Sequence, residues 1–571
     1  MRGFSKSKGS SGLGLLLALG AAAMLVIGGA FALYFVKGKK INTEDIAAAE
    51  KISGLRFTHK ERELMLDDLR ENAKAYTKLR QVNIANSVPP AIRFDPVLPG
   101  MSFDQEKQKI GGVAQKIEPS PILAERPANI EDLAFAPVTT LARLIRSRKV
   151  TSTELTTMYL ARLKRYGPRL ECVITLTEDL ALAQAKRADE EIATGSYRGP
   201  LHGIPYGAKD LLATKGIRTT WGSKPYIDQF PDHNATVIER LEQAGAVLVA
   251  KLTLGELAWG DVWYGGKTRN PWNYEQGSSG SSAGSASSTG AGLVGFAIGT
   301  ETWGSIISPS TRCGVAGLRP TYGRVSRAGA MALSWSMDKI GPICRSVEDC
   351  ALVFEAIYGP DGKELSVVDL PFNWDPAADL KTIRVGYLKK AFEEESKTKK
   401  NDQAVLDVLR SAGIELVPFE LPADLPIQPL ATVLSVEAAA AFDELTRSNR
   451  DDLMARQERN AWPNAFRGAR FIPAVEYIQA NRVRTLLMEE MAERMKAVDV
   501  YVAPSSDDDN GLLTNLTGHP AVVVPNGFDE KGSPTSISFI GGLYEEAKTL
   551  RVALAYEQAT DFHTKHPVLM E

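Results

Sequence analysis

The sequence predicts an α/β protein in which helices cover both faces of a β-sheet. A helical pattern that Asn234 can cap ends at Gly245, and an apolar strand over Ala246–Ala250 follows at once. A second helix is predicted to begin at Ser346. Further strands are predicted at four apolar stretches: Cys172–Leu176, Ile383–Leu388, Val498–Ala503 and Ala521–Pro525. Because short apolar strands that alternate with helices are buried on both faces, the chain from about Ile130 onward favours a layered α/β domain.

The first forty residues contain a predicted membrane segment. Leu13 to Val36 is an uncharged, mostly apolar run, which as a helix is ~36 Å long and reaches across a bilayer core. Its length favours an uncleaved anchor, although a cleaved signal peptide stays open. Lysine or arginine flanks both ends, so the charges do not define the orientation. We therefore expect a single-pass membrane protein, with the side of the membrane undetermined.

A predicted extension, residues 41–130, separates this segment (1–40) from the α/β domain (131–571). Thr58 and Glu61 form a capping-box pattern at the start of a helix. That helix should end before a proline-rich stretch, which forces an extended, wrapping segment. Four prolines define the stretch: Pro89, Pro90, Pro96 and Pro99. We expect this extension to act as a spacer that packs against the α/β domain and carries no chemistry.

The composition excludes several functional classes. The 571 residues are 44% hydrophobic and 24% charged, with a formal net charge of −2, which argues against a nucleic-acid partner. The four cysteines form no Cys-x-x-Cys pair, and the six histidines show no zinc-ligand spacing. We therefore expect neither a metal nor another cofactor. The sequence leaves the oligomeric state open, a homodimer included.

A Gly/Ser-rich stretch, Gly277–Ser288, is the most unusual segment. Such tracts are usually flexible linkers, but this one leads into core-like sequence, Gly292–Ile298. A second turn of small residues, Gly299–Ser305, follows, and then Cys313–Pro320. Because glycine and serine let backbone N–H groups approach a ligand closely, the stretch favours a binding or catalytic site.

Together with Leu201–Asp210 and Asn515–Ala521, these motifs resemble the amidase signature family, over roughly residues 130–565. The resemblance implies one large mixed β-sheet and a serine nucleophile, Ser305, that forms an acyl-enzyme. It also implies that Ser281 passes protons and that Lys209 is the terminal base. The family's oxyanion hole corresponds to backbone N–H groups of four residues: Thr302, Trp303, Gly304 and Ser305.

The implied chemistry requires a neutral lysine. An ordinary lysine titrates near ~10.4, so Lys209 can act as a base near neutral pH only if burial lowers its pKa. The apolar residues before it are consistent with burial, although a surface ion pair with Asp210 is the alternative. Three positions depart from the family pattern: Glu301 for Asp, Trp303 for Gly and Ile307 for Arg. Because the oxyanion donors are backbone groups, the changes at 301 and 303 need not abolish catalysis. The absence of an Arg at 307 argues against recognition of an acidic substrate through that position.

We therefore predict an amidase that cleaves a small-molecule amide to an acid and an amine or ammonia. One alternative is the glutaminase subunit of a tRNA-dependent amidotransferase, which shares the same triad. Another is a membrane-tethered binding protein that has lost turnover. The substrate is not evident from the sequence. Trp462, Phe466 and Phe471 can line a pocket, but core packing is the preferred interpretation.

Overall fold

The computed structural model describes residues 41–570, except residues 80, 83, 89–91 and 107–124. The predicted membrane segment, Leu13–Val36, lies outside the described residues. Among the helices that are described, none is both long enough and apolar enough to cross a bilayer.

The described chain falls into two compact units, which divide after Ile84. The first unit contains helices α1 (Thr43–Ser53) and α2 (His59–Leu79). The predicted capping box begins α2: the N–H of Thr58 donates to the Glu61 carboxylate at 2.6 Å, and the N–H of Glu61 donates to Oγ1 of Thr58 at 3.3 Å. The helix ends before the proline-rich stretch, as predicted.

The second unit is built around a β-sheet. Its strands, numbered in chain order together with two short hairpins, are β1 (Val173–Leu176), β2 (Pro205–Lys209), β3 (Val247–Leu252), β4 (Val262–Trp263), β5 (Gly266–Lys267), β6 (Arg269–Asn270), β7 (Asn273–Gly277), β8 (Phe296–Glu301), β9 (Ala316–Arg319), β10 (Lys339–Cys344), β11 (Val385–Leu388), β12 (Leu416–Phe419), β13 (Val500–Pro504), β14 (Ala521–Phe528) and β15 (Pro534–Gly541). Within the described residues, eleven strands form one sheet in the order β1-β3-β2-β8-β10-β9-β14-β15-β13-β11-β12.

The sheet is mixed, as the resemblance implied. Strand β2 runs parallel to both β3 and β8, and β11 runs parallel to both β12 and β13. The other pairs are antiparallel. Every residue of β2, β3, β8, β10, β13 and β15 is buried, so both faces of the sheet are covered.

Helices provide most of that cover. The helices of the second unit are α3 (Val138–Arg146), α4 (Ser152–Leu170), α5 (Glu178–Ala193), α6 (Thr236–Gln243), α7 (Ala283–Gly290), α8 (Ile307–Cys313), α9 (Val347–Ile357), α10 (Lys389–Glu393), α11 (Lys399–Ser411), α12 (Thr432–Ala441), α13 (Asp443–Arg447), α14 (Trp462–Ala469), α15 (Ala474–Met495), α16 (Asp508–Thr517) and α17 (Glu546–Gln558). The predicted layered α/β architecture is therefore confirmed.

One predicted helix cap is wrong. Helix α6 begins after Ala235, and the side chain of Asn234 makes no capping bond to it. Instead, Oδ1 of Asn234 accepts a hydrogen bond of 2.7 Å from the N–H of Lys215. The cap predicted at Ser346 is confirmed, because its side chain accepts from the N–H of Asp349.

Candidate active site

Lys209 ends strand β2 and is completely buried. Its Nζ lies 2.8 Å from Oγ of Ser281, 3.0 Å from Oγ of Ser282 and 2.8 Å from Oγ1 of Thr300. The carbonyl oxygen of Thr300 is a fourth neighbour, at 3.3 Å. Two members of the predicted triad, Lys209 and Ser281, are therefore in direct hydrogen-bond contact.

The environment of Lys209 disfavours its charged form. Burial lowers the pKa of Lys209 well below its ordinary value, and the carboxylates of Asp338 and Glu301 oppose this only in part. The surface ion pair with Asp210 considered from the sequence is absent among the described contacts. Asp210 instead lies 3.2 Å from Nζ of Lys251.

Ser281 is held next to the turn that carries Ser305. The peptide bond between Gly280 and Ser281 is cis. A Cβ atom at Gly280 would lie 1.8 Å from the carbonyl oxygen of Gly260, so only glycine fits there. The N–H of Ser282 donates to the carbonyl oxygen of Ser305 at 3.1 Å. This bond ties the Ser281 segment to the residue predicted to be the nucleophile, which is 7% exposed.

Glu301 organises the turn from inside the core. Its carboxylate accepts hydrogen bonds from the N–H groups of Ile306 and Ile307 at 2.8 and 3.0 Å, at the start of α8. It also accepts from Nη1 of Arg319 and Nδ2 of Asn515, both at 2.9 Å. Burial alone would raise the pKa of Glu301, but these partners more than offset it, and that pKa falls to about 2.

The turn presents free backbone donors beside Ser305. Among the described contacts, the N–H groups of Thr302, Trp303 and Gly304 have no hydrogen-bond acceptor. Gly304 has a φ of 78°, in the region that favours glycine. Oγ1 of Thr302 donates to Oδ1 of Asp338 at 2.6 Å, which fixes the beginning of the turn.

Two histidines lie within the motifs but contact neither Lys209 nor the serines in the described residues. His202 accepts from the N–H of Arg198 at 3.1 Å. His519 pairs with Oγ1 of Thr517 at 2.8 Å, and burial lowers its pKa to about 3. No group of metal-ligating side chains is found in the described chain.

A cavity of about 1300 Å³ reaches the turn at Thr300 and Thr302. The aromatic residues considered from the sequence do not line it. Trp462 and Phe466 are buried and stack at 5.0 Å, which confirms core packing, whereas Phe471 is 64% exposed.

Sequence reasoning missed three neighbours of the predicted triad. Ser282 and Thr300 contact Lys209 directly, and Asp338 holds Thr302. For Ser282, the available signal is its position next to Ser281. Nothing in the sequence indicates the contact between Thr302 and Asp338.

Comparison with known proteins supports one family. Residues 154–509 match the family described as Amidase. The A-subunit of the glutamyl-tRNA(Gln) amidotransferase of Methylococcus capsulatus (strain ATCC 33009 / NCIMB 11132 / Bath) is 35% identical over 474 residues, which cover 75% of this chain and 97% of that protein. The native peptide amidase of Stenotrophomonas maltophilia is 32% identical, with a TM-score of 0.66 and coverage of 75% and 97%.

A second solved structure is the corresponding A-subunit of the glutamyl-tRNA(Gln) amidotransferase of Thermotoga maritima. It is 26% identical with a TM-score of 0.63, covering 76% of this chain and 96% of that chain. The family match alone spans more than half of the 571 residues. The chain therefore belongs to the amidase family and is a hydrolase of amide C–N bonds.

Proposed function

We propose that the protein hydrolyses a carboxylic acid amide through an acyl-enzyme on Ser305, with Ser281 and Lys209 as its proton relay. The observation that carries this proposal is the buried 2.8 Å hydrogen bond between Nζ of Lys209 and Oγ of Ser281. A serine hydroxyl becomes an effective nucleophile when a positioned base removes its proton. A lysine with a lowered pKa provides that base.

The reaction proceeds in two halves. Oγ of Ser305 attacks the amide carbon, its proton moves to Ser281, and the proton of Ser281 moves to Lys209. The ammonium then returns a proton through Ser281 to the leaving nitrogen as the C–N bond breaks. In the second half, water attacks the acyl-Ser305 ester, and the same relay takes its proton and restores the serine.

The developing oxyanion is stabilised by the turn before the nucleophile. The unpaired N–H groups of Thr302, Trp303 and Gly304 are the proposed donors. Because Glu301 holds the N–H groups of Ile306 and Ile307, the turn is pre-organised before substrate binds.

A glutaminase subunit is the second candidate, and the similarity to amidotransferase A-subunits favours it. The two candidates differ in their need for a partner. An independent amidase hydrolyses simple amides as a purified protein. A glutaminase subunit hydrolyses glutamine only when its amidotransferase partners are added, and this comparison decides between them.

Labelling tests the nucleophile. We expect a fluorophosphonate to label the wild-type protein and not Ser305→Ala, and we expect kcat to fall by several orders of magnitude in that variant. Ser308→Ala is the matched control, since the hydroxyl of this nearby exposed serine hydrogen-bonds only to Ser279 in the described structure. Undiminished labelling of Ser305→Ala overturns the assignment. Absence of labelling in the wild-type protein favours the third alternative, a binding protein without turnover.

The N-terminal regions remain part of this proposal. We propose that Leu13–Val36 anchors the protein in a membrane and that residues 41–130 link this anchor to the catalytic domain, 131–571. The apolar run and its lysine flanks support the anchor. Release of the full-length protein from membranes by a carbonate wash, or a cleaved N-terminus in the mature protein, contradicts it.

A further inference from the structure

An extended segment, residues 92–106, follows the proline-rich stretch and packs along the rest of the second unit; we call it the strap. It contains no helix or strand, as the prolines predicted. Nη1 of Arg93 donates to the carbonyl oxygen of Leu365 at 2.7 Å. Further along, the ring of Phe103 packs edge-on against Tyr544 at 4.9 Å. The strap is therefore attached to the rest of this unit at several points.

Phe94 of the strap contacts both a cation and an aromatic ring. Its ring lies 3.6 Å from the guanidinium of Arg484 and 5.0 Å from the ring of Tyr322. Arg484 is itself fixed, because its Nε donates to the carbonyl oxygen of Leu516 at 2.6 Å and its two other nitrogens donate to Ser336. The ring of Phe94 is thus held on a rigid platform.

The strap forms one wall of the cavity that reaches the catalytic turn. Phe94 and Leu98 line this cavity together with Thr302, whose N–H is a proposed oxyanion donor. The same cavity has further apolar lining at Met331, Leu333 and Trp335. The strap lies outside residues 154–509, which match the family. This wall of the cavity is therefore formed by residues outside the matched region.

The cavity is larger than a small amide needs. Its volume of about 1300 Å³ exceeds the ~300–1,000 Å³ that is typical of pockets for drug-sized ligands. The strap lines this space with apolar Ile92, Phe94 and Leu98 as well as charged Arg93 and Asp95. Its apolar side chains are stabilised when they contact apolar substrate surface. Glutamine and acetamide have little apolar surface, and the acyl part of a long amide has much.

We infer that the strap determines substrate specificity, with Phe94 contacting the apolar acyl part of a long-chain amide bound in this cavity. This inference rests on the proposed amide hydrolysis at Ser305. The enzyme accordingly prefers amides with long apolar acyl groups to short amides. Phe94 acts here as a specificity-determining residue and takes no part in bond cleavage.

The test compares kcat/KM for acetamide, hexanamide and decanamide. In Phe94→Ala, we expect the decanamide-to-acetamide ratio to fall by at least about tenfold, since lost apolar contacts reduce discrimination by that order. Phe94→Leu should restore most of the ratio. Phe103→Ala is the matched control: it removes an aromatic ring from the same strap but not from the cavity, so its ratio should equal that of the wild-type protein.

A decanamide-to-acetamide ratio that is unchanged in Phe94→Ala overturns the inference. If Phe94 were merely structural, its loss would change kcat/KM for all three amides by the same factor. An equal fall in Phe103→Ala also overturns it. If no amide is hydrolysed by the wild-type protein, the proposed catalysis fails, and the strap is then tested by calorimetric binding of decanamide to Ser305→Ala. If Phe94→Ala leaves the Kd for decanamide unchanged in that background, the proposed role of the strap in specificity is refuted independently of catalysis.

Discussion

Replacing Glu301 with glutamine should destabilise the protein by about 3–5 kcal/mol, which is the usual cost of removing one partner of a buried ion pair. Glu301 and Arg319 are 0% and 2% exposed and lie 2.9 Å apart. Nη2 of Arg319 donates to Oγ1 of Thr514 and to the carbonyl oxygen of His519. The amide of Glu301→Gln removes the negative charge and leaves this buried guanidinium uncompensated.

The pKa of Glu301 gives a second measure of the same effect. A pKa of about 2, against an ordinary value of 4.5, corresponds to about 3 kcal/mol, because each pKa unit is worth about 1.4 kcal/mol. Since the folded-state pKa is lowered, this stability is present above about pH 4.5 and is lost as the pH falls towards 2. The free energy of unfolding of Glu301→Gln should therefore depend less on pH, below about pH 4.5, than that of the wild-type protein.

Equilibrium urea unfolding between pH 2 and 7 measures both quantities. Glu493→Gln is the control, since Glu493 pairs with Lys496 on the surface and is 71% exposed. That variant should leave the unfolding midpoint unchanged. If Glu301→Gln unfolds at the same urea concentration as the wild-type protein at pH 7, or keeps the full acid dependence, the carboxylate does not hold the turn as argued.

Three further predictions concern the relay and the core. In Lys209→Ala, kcat/KM should lose its rise with pH through the lowered lysine pKa, and esters should lose less activity than amides because their leaving groups need no proton; an unchanged pH profile contradicts the assignment. Ser281→Ala should lower kcat less than Ser305→Ala, because water can replace a relay but not a nucleophile; equal losses count against this order. Phe466→Ala should cost about 3–5 kcal/mol in urea unfolding, whereas the exposed Phe471→Ala should cost almost nothing.

The arrangement around Lys209 was largely predictable because it is encoded in local motifs. Lys209 and Ser281 lie in two short segments whose spacing resembles the family, and the structure brings their side chains to 2.8 Å. Five of the eleven strands in the sheet (β1, β3, β11, β13 and β14) were predicted, since each coincides with a short apolar run. The ends of these strands were predicted less accurately. The strand predicted at Ala246–Ala250, for example, extends from Val247 to Leu252.

Contacts between distant segments were not predictable. Glu301 stood out only as a departure from the family pattern, yet it joins Arg319, 18 residues away, and Asn515, 214 residues away. Asn234 had the right residue type for a helix cap, but it lies one residue before the N-cap, Ala235, and its side chain binds Lys215 instead. A capping propensity is a local preference, and a competing partner from another segment overrides it.

The hydrogen bonds around Lys209 also indicate a direction for the proposed relay. Oγ of Ser282 donates to the carbonyl oxygen of Thr300 at 3.0 Å, so its own proton is committed and it accepts from Lys209. A neutral amine has two N–H groups and one lone pair. We assign one N–H group to Ser282 and the other to Thr300, whose Oγ1 and carbonyl oxygen lie 2.8 and 3.3 Å from Nζ. In the proposed relay, the lone pair is left for the hydroxyl of Ser281, whose oxygen lies 2.8 Å from Nζ. In the proposed mechanism, the oxygen of Ser281 then accepts the proton of Ser305; among the described contacts, no hydrogen bond joins these two hydroxyls.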